Sequence, residues 1–248
     1  MSSASELPLL DTLIRKLEGI ATLSADERQA IDSLRVNARV LGPGQDIVRD
    51  GDKPSRCCLL LRGWVCRYKL LNEGRRQILS LHIPGDISDL QSLFIPTMDH
   101  SLATLSVSEV AFISHEDLRD LIHRFPRIGA TLWHDMMVDT AVLRETLVGM
   151  GRRSAIERIA HLFCELYLKL QAVGLAENYC YSFPIKQADL GDALGLSYVH
   201  VNRVLQELRS KRVVTLRHRT LVVEDWNELS RIAEFDATYL HLEKRADG

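Results

Sequence analysis

The sequence predicts an α+β fold in three parts: a β-rich N-terminal half of sandwich or barrel type, one long helix, and a C-terminal winged helix-turn-helix. Three observations carry this. Glycines punctuate short apolar runs between Val36 and Ser114. An apolar seam at helical spacing extends from Trp133 to Met150. A turn at Gly195 separates two short helical stretches, and two apolar strands with a basic tip follow them. The 248 residues suffice for two domains with cores of their own, and 46% hydrophobic with 26% charged residues is a globular composition.

Residues from about Leu7 to Ser33 read as short helices, with Ser24 as N-cap and Glu27 three residues on to complete a capping box. From Val36 to Ser114, Gly42, Gly44, Gly51, Gly63, Gly74 and Gly85 divide runs such as "CCLLL", "WVCRYKLL", "QILSLHI" and "ATLSVSEVAFIS", the spacing of short strands between turns. "LLNEGRR" reads as a hairpin tip, with Gly74 available for positive φ. After Ser114 the pattern turns helical. Trp133, Met136, Thr140, Leu143, Leu147 and Met150 recur at alternating steps of three and four, a coiled-coil-like seam. Such a stripe either packs on its own barrel or joins two copies, and its place between a β domain and a basic helical domain favours a dimerising spine. Gly149 and Gly151 then read as a hinge. The resulting divisions are 1–124, 125–150 and 151–248.

Beyond the hinge come a helix ("SAIERIAHLFCELYLKL"), a loop with a short strand ("NYCYSFP"), two short helices and the strand pair "RVVTLRHRTLVVED", whose tip is Arg217, His218 and Arg219. In the helix after Ser197, Val201, Val204, Leu205 and Leu208 form one apolar stripe. Val199, Asn202, Arg203 and Gln206 fall opposite, with His200 on the flank and Tyr198 at the start. Ser197 is placed as N-cap. One stripe anchors such a helix while the other offers Arg to guanine and Asn or Gln to adenine. Lys186 and Gln187 open the preceding helix, where cations and backbone NH groups meet phosphate oxygens. Net charge over the whole chain is −2, but Gly151 to Thr220 holds eleven Lys or Arg against six Asp or Glu, leaving +5 around this unit. The expected partner is double-stranded DNA.

"IKQADLGDALGLSYVHVNRVLQELRSKRVV" closely resembles the helix-turn-helix of the cyclic-AMP receptor protein and fumarate-nitrate regulator (Crp/Fnr) family. "LLLRGWVCRYKLLNEGRRQILSLHIPGDISDLQSLF" resembles that family's N-terminal β-roll, including the "PGD" after the hairpin. The resemblance covers nearly the whole chain. It implies a cyclic-nucleotide-binding-like β-roll of jelly-roll type, a dimerisation helix, and a homodimeric transcription factor on near-palindromic sites. RNA polymerase is a further candidate partner. Arg203 takes the position of the family's base-contacting arginine, with Val199 and Asn202 on other base-facing positions. Val199 departs from the usual acidic residue, which implies a different operator and suits a thymine methyl.

The cyclic-nucleotide pocket of the family has a Gly-Glu pair and, further on, an Arg followed by Ser or Thr. Here Asp89 and Leu90 stand at the first positions, and His100 with Ser101 at the second. A neutral imidazole lacks the Arg fork of donors, so weak or absent cyclic-AMP binding is expected. An iron–sulfur cluster is not expected either, because no Cys precedes Cys57. The effector is left open, as is a redox role for Cys180. Five cysteines without paired CxxC units argue against a disulfide framework and a zinc site. With no catalytic motif and no metal set, an enzyme is not expected. The N-terminal "MSSASELPLLDTLIRKLEGI" shows no secretory signal, and no apolar run is long enough to span a bilayer, so a cytoplasmic protein without membrane contact is expected. Two other readings remain: a small-ligand sensor whose winged helix docks protein, and a cyclic-nucleotide receptor with a rebuilt pocket.

Overall fold

A computed structural model describes residues 9–242; Leu7, at the start of the expected N-terminal helices, lies outside them. Helices α1 (Asp11–Ile20) and α2 (Ala25–Asp32) come first. Ser24 and Glu27 close the capping box, each side chain accepting from the other residue's backbone NH. The β-roll follows: β1 (Val36–Leu41), β2 (Asp46–Val48), β3 (Arg56–Arg62), β4 (Val65–Leu70), β5 (Arg76–His82), β6 (Ser101–Thr104) and β7 (Ser108–Ser114). They form two antiparallel sheets, β1-β7-β3 and β2-β6-β4-β5. At the β4–β5 tip, Glu73 and Gly74 both take positive φ, +68° and +76°, as the tight reversal requires.

Strand β3 is buried on both faces, which explains the unbroken run "CCLLL". Successive side chains of β3 alternate between two cores. Cys58 and Leu60 face the roll interior with Val48, Val65, Met98, Leu102 and Val110. Cys57, Leu59 and Leu61 face a second core with Leu13, Leu17, Ile31, Leu118, Ile128 and Leu132 from the surrounding helices. On β4, Val65 points into the roll while Cys66 points away from it, into a third core.

Helix α3 (His115–Arg124) leads into α4 (Pro126–Arg152), which starts with Pro at its first turn. The glycine hinge is displaced. Gly149 and Gly151 both lie inside α4, and the chain breaks at Arg153, whose φ of −86° and ψ of 143° are extended. A capping box at Ser154 and Glu157 then starts α5 (Ala155–Ala172). Arg153 also pairs with Glu145 two turns back, at 2.5 Å, fixing the bend where the sequence alone favoured the glycines.

The C-terminal part adds β8 (Ala176–Glu177), β9 (Cys180–Ser182), α6 (Gln187–Leu194), α7 (Tyr198–Ser210), β10 (Val214–Arg217), β11 (Thr220–Val223) and α8 (Trp226–Ala233). Its sheet order is β10-β11-β9-β8. The third core runs continuously from Trp64, Cys66, Ile78 and Ile83 of the roll into Phe163, Phe183, Leu190 and Val201. Trp64 meets Phe183 edge-on at 6.1 Å between ring centres. No helix among the described residues is long and apolar enough to cross a membrane.

Candidate nucleic-acid interface and sensor cavity

Two glycines make the turn between α6 and α7. Gly195 ends α6 in the left-handed conformation, φ +64°, where a side chain is disfavoured. Gly191, inside α6, lets the turn close over it: a Cβ there would lie 2.6 Å from the Leu196 carbonyl oxygen. Leu196 NH donates to the Gly191 carbonyl at 3.0 Å. Ser197 caps α7 by accepting from His200 NH.

Helix α7 is held by Val201, Val204 and Leu208, all buried, with Leu205 half-buried beside them. Its other face is open. Val199 is 76% exposed and Tyr198 59%; Arg203 and Gln206 are exposed, and His200 and Asn202 are half-buried. The polar groups of this face are tied to one another. Asn202 Nδ2 donates to Gln187 Oε1 at 3.2 Å, and Gln206 Nε2 donates to Asn202 Oδ1 at 3.0 Å. Arg203 Nη2 donates to His200 Nε2 at 2.6 Å. Lys186 is the N-cap of α6 and is exposed. The β10–β11 turn is made by His218 and Arg219 at φ +51° and +61°, which leaves Arg217, His218 and Arg219 exposed at its tip.

The roll grips this unit through β5, a contact with no signal in the sequence pattern. Arg76 forms ion pairs with Asp189 and Asp192 on successive turns of α6, the latter at 2.8 Å. Gln77 Nε2 donates to the Ala193 carbonyl at 3.3 Å. Arg158 of α5 donates to the Leu194 carbonyl at 2.8 Å, completing the hold on α6.

A cavity of about 420 Å³ lies where the roll, α4, α5 and α6 meet. Of the residues at the family's nucleotide positions, His100 alone lines it. Asp89 is turned inward to accept from Cys58 NH at 2.6 Å, and burial pushes its carboxyl up to about 6. Leu90 sits in the second core. Ser101 accepts from Asp50 NH at 3.0 Å. The His100 ring is bonded to Asp99 at 2.6 Å and to the Gln91 amide at 3.2 Å, and burial lowers its pKa. The structure instead brings in residues distant in sequence: Arg67 from β4, Asp139 from α4, Glu165 and Lys169 from α5. Arg67 Nε donates to the Ser88 carbonyl at 2.7 Å, and its Nη2 pairs with Asp139 at 3.4 Å. Glu165 accepts from Tyr239 OH at 2.8 Å, and burial raises its pKa. Lys169 has no ion pair or hydrogen bond among the described residues. The apolar wall includes Ile78, Leu81, Met136, Val142, Leu143, Leu162 and Leu194.

A buried ion cluster adjoins it. Lys16 of α1 pairs with Asp86 of the "PGD" segment and, at 3.1 Å, with Asp135 of α4. His82 Nδ1 meets Asp86 at 3.2 Å, and its Nε2 meets Ser80 Oγ at 2.9 Å. Burial, reinforced by Arg67, lowers the His82 pKa, so the ring is neutral near pH 7.

Along α4, Trp133, Leu143 and Leu147 are exposed at 48%, 52% and 70%, and Thr140 is exposed beside them. Met136 and Met150 are half-buried, the former lining the cavity. Met137 and Val148 extend the exposed stripe. Cys57, Cys58, Cys66 and Cys164 are free and buried, and Cys180 is half-buried. Among the described residues no three His, Cys, Asp or Glu side chains stand together as a metal site.

Comparison with known proteins agrees with this layout. Residues 38–125 match the cyclic nucleotide-binding domain, and residues 157–232 match the Crp-like helix-turn-helix domain. The nitrogen fixation regulation protein FixK of Rhizobium meliloti is 27% identical over 71% of this chain and 76% of its own length. The anaerobic regulatory protein of Haemophilus influenzae is 22% identical over 90% of this chain and 86% of its own. The fold matches that of FixK2 from Bradyrhizobium japonicum, with a TM-score of 0.72, 23% identity, and coverage of 80% of this chain and 98% of that one. Its roll, spine and winged helix-turn-helix, in that order, together with these two domain matches, place the chain in the Crp/Fnr family of transcriptional regulators.

Proposed function

We propose that this regulator works as a homodimer, with α4 as the dimer seam and one α7 reading each half of a near-palindromic operator. The observation that carries the reading is the division of α7, whose Val201–Val204–Leu208 stripe is buried while Val199, Arg203 and Gln206 stand open. An exposed stripe of large apolar side chains on α4 supports the seam, since its burial in a second copy removes apolar surface from water. The effector is a small molecule other than a cyclic nucleotide, bound in the cavity between the roll and α4. Asp89 and Leu90 face the core rather than that cavity, and no Arg fork replaces them at His100. Ala193 and Leu194 of α6 line the same cavity, so occupancy biases how α6 sits against β5 and thereby the placement of the two α7 helices.

Footprinting of the purified protein on genomic fragments tests the DNA reading. Arg203→Ala is expected to weaken operator binding by about 1–3 kcal/mol and to relax base choice at one position per half-site. Lys186→Ala is expected to lower the slope of log affinity against log salt by about 1, uniformly across sequences. Unchanged operator binding by the Arg203 variant sinks the assigned face. Calorimetry with cyclic AMP tests the effector reading, which fails if cyclic AMP binds in the micromolar range.

A further inference from the structure

The charged groups around the cavity between the roll, α4, α5 and α6 have partners, with one exception. Arg67 pairs with Asp139 at 3.4 Å, and the exposed Asp99 is bonded to the His100 ring at 2.6 Å. In the adjoining ion cluster, Asp86 and Asp135 share Lys16. Glu165 accepts from Tyr239 OH at 2.8 Å, and burial raises its pKa, favouring the uncharged form. The exception is Lys169. It lines the cavity half-buried, and no carboxylate stands within ion-pair distance of it among the described residues.

The apolar part of the wall is aliphatic. Ile78 and Leu81 come from β5, Met136 and Val142 from α4, Leu162 from α5 and Leu194 from α6, and no Phe, Tyr or Trp side chain joins them among the described residues. A planar ring gains from aromatic faces that this wall does not offer. A flexible alkyl chain needs only apolar surface to leave water, and the thioether of Met136 adapts to its path.

We propose that this cavity binds a medium-chain aliphatic carboxylate, with its headgroup on the Lys169 ammonium and its alkyl chain along β5, α4 and α6. The proposal rests on the reading of the cavity as an effector site and names the ligand class. A single ammonium is a point charge, matched to a monoanion. A phosphate monoester carries about −1.5 to −2, and its second charge meets Asp139 and Glu165. The one arginine of the wall, Arg67, is already committed to the Ser88 carbonyl at 2.7 Å and to Asp139. An alkylammonium is repelled by Lys169 and finds no carboxylate without a partner. Lys169 and Leu194 belong to the reading unit, whereas β5 and α4 belong to the roll and the spine, so the bound acid bridges the parts whose relative placement sets DNA reading.

The test is calorimetry of the full-length protein with butanoate, hexanoate and octanoate. Affinity is expected to rise by about fourfold for each added methylene. Lys169→Gln is expected to weaken octanoate binding by about tenfold or more and Lys169→Arg by less than about threefold, with circular dichroism unchanged in both. Octanoate binding no tighter than butanoate overturns the proposal, as does equal octanoate binding by the wild type and Lys169→Gln. If octanol, octylamine or octyl phosphate binds more tightly than octanoate, the carboxylate assignment falls while the reading of a small effector other than a cyclic nucleotide stands. If cyclic AMP displaces octanoate, that reading falls as well, so the two failures register as different results.

Discussion

Lys16→Met removes the one cation that α1 supplies to the buried ion cluster. The Lys16 side chain is 13% exposed and its partners Asp86 and Asp135 are 4% and 21% exposed. At the 3.1 Å separating Lys16 from Asp135, a pair of unit charges attracts by about 5 kcal/mol at an effective dielectric of 20, and desolvation offsets much of this. The measurable cost is that of stranding carboxylates in a dry site, about 3–5 kcal/mol. Its pH dependence has a definite sign. Burial pushes the Asp86 carboxyl up, but the Lys16 ammonium and the His82 bond more than reverse this, holding it well below the usual carboxylate range. A depressed carboxylate stabilises above its unfolded pKa of about 3.9 and loses that contribution as pH falls through the folded value. Without Lys16, burial raises the stranded carboxyls, and taking up a proton relieves them. The deficit of the variant is therefore largest near pH 8 and shrinks toward pH 5. Urea unfolding followed by circular dichroism at both pH values measures it. A deficit under about 1 kcal/mol, or one equal at both pH values, refutes the account.

Three further outcomes follow from the same geometry. Gly191→Ala forces a Cβ to within 2.6 Å of the Leu196 carbonyl, so it should cost about 1–3 kcal/mol in thermal unfolding and reduce operator affinity beyond that of a neutral surface change; wild-type behaviour in both contradicts the close approach. Leu147→Glu places a charge on the exposed α4 stripe and should yield monomers in sedimentation velocity, whereas an intact dimer assigns the seam elsewhere. Burial pushes the Cys57, Cys66 and Cys164 thiols up to about 12, so a disulfide reagent at pH 8 should label one thiol rapidly, Cys180, and all five only after unfolding. Rapid labelling of a second thiol in the folded protein argues against that burial.

The elements that were legible carry their signal within a few adjacent residues. Ser24 with Glu27, Gly74 at a hairpin tip, and Ser197 ahead of Val201, Val204 and Leu208 are each local patterns with local causes. The glycine hinge misled because glycine permits a break without requiring one. Helix propagation continues to Arg152, and the break falls where Ser154 can cap the next helix and Arg153 can reach Glu145. The pocket positions misled for a different reason. Motif spacing puts Asp89 and Leu90 at nucleotide-binding positions, but nothing local reveals that Cys58 NH and the second core claim their side chains. The cavity is the least legible part: Arg67, Asp139 and Lys169 belong to a strand and two helices, and only tertiary folding makes them neighbours.

The third core has a consequence for modularity. Because Trp64, Ile78 and Ile83 share one apolar interior with Phe163, Phe183 and Leu190, the reading unit has no finished surface of its own on that side. Grafting a relative's helix-turn-helix onto this roll leaves mismatched shapes at that boundary unless the β4 and β5 side chains are exchanged along with it. Inheritance of new operator specificity in this chain therefore runs most easily through the exposed face of α7, which can vary residue by residue without disturbing that joint.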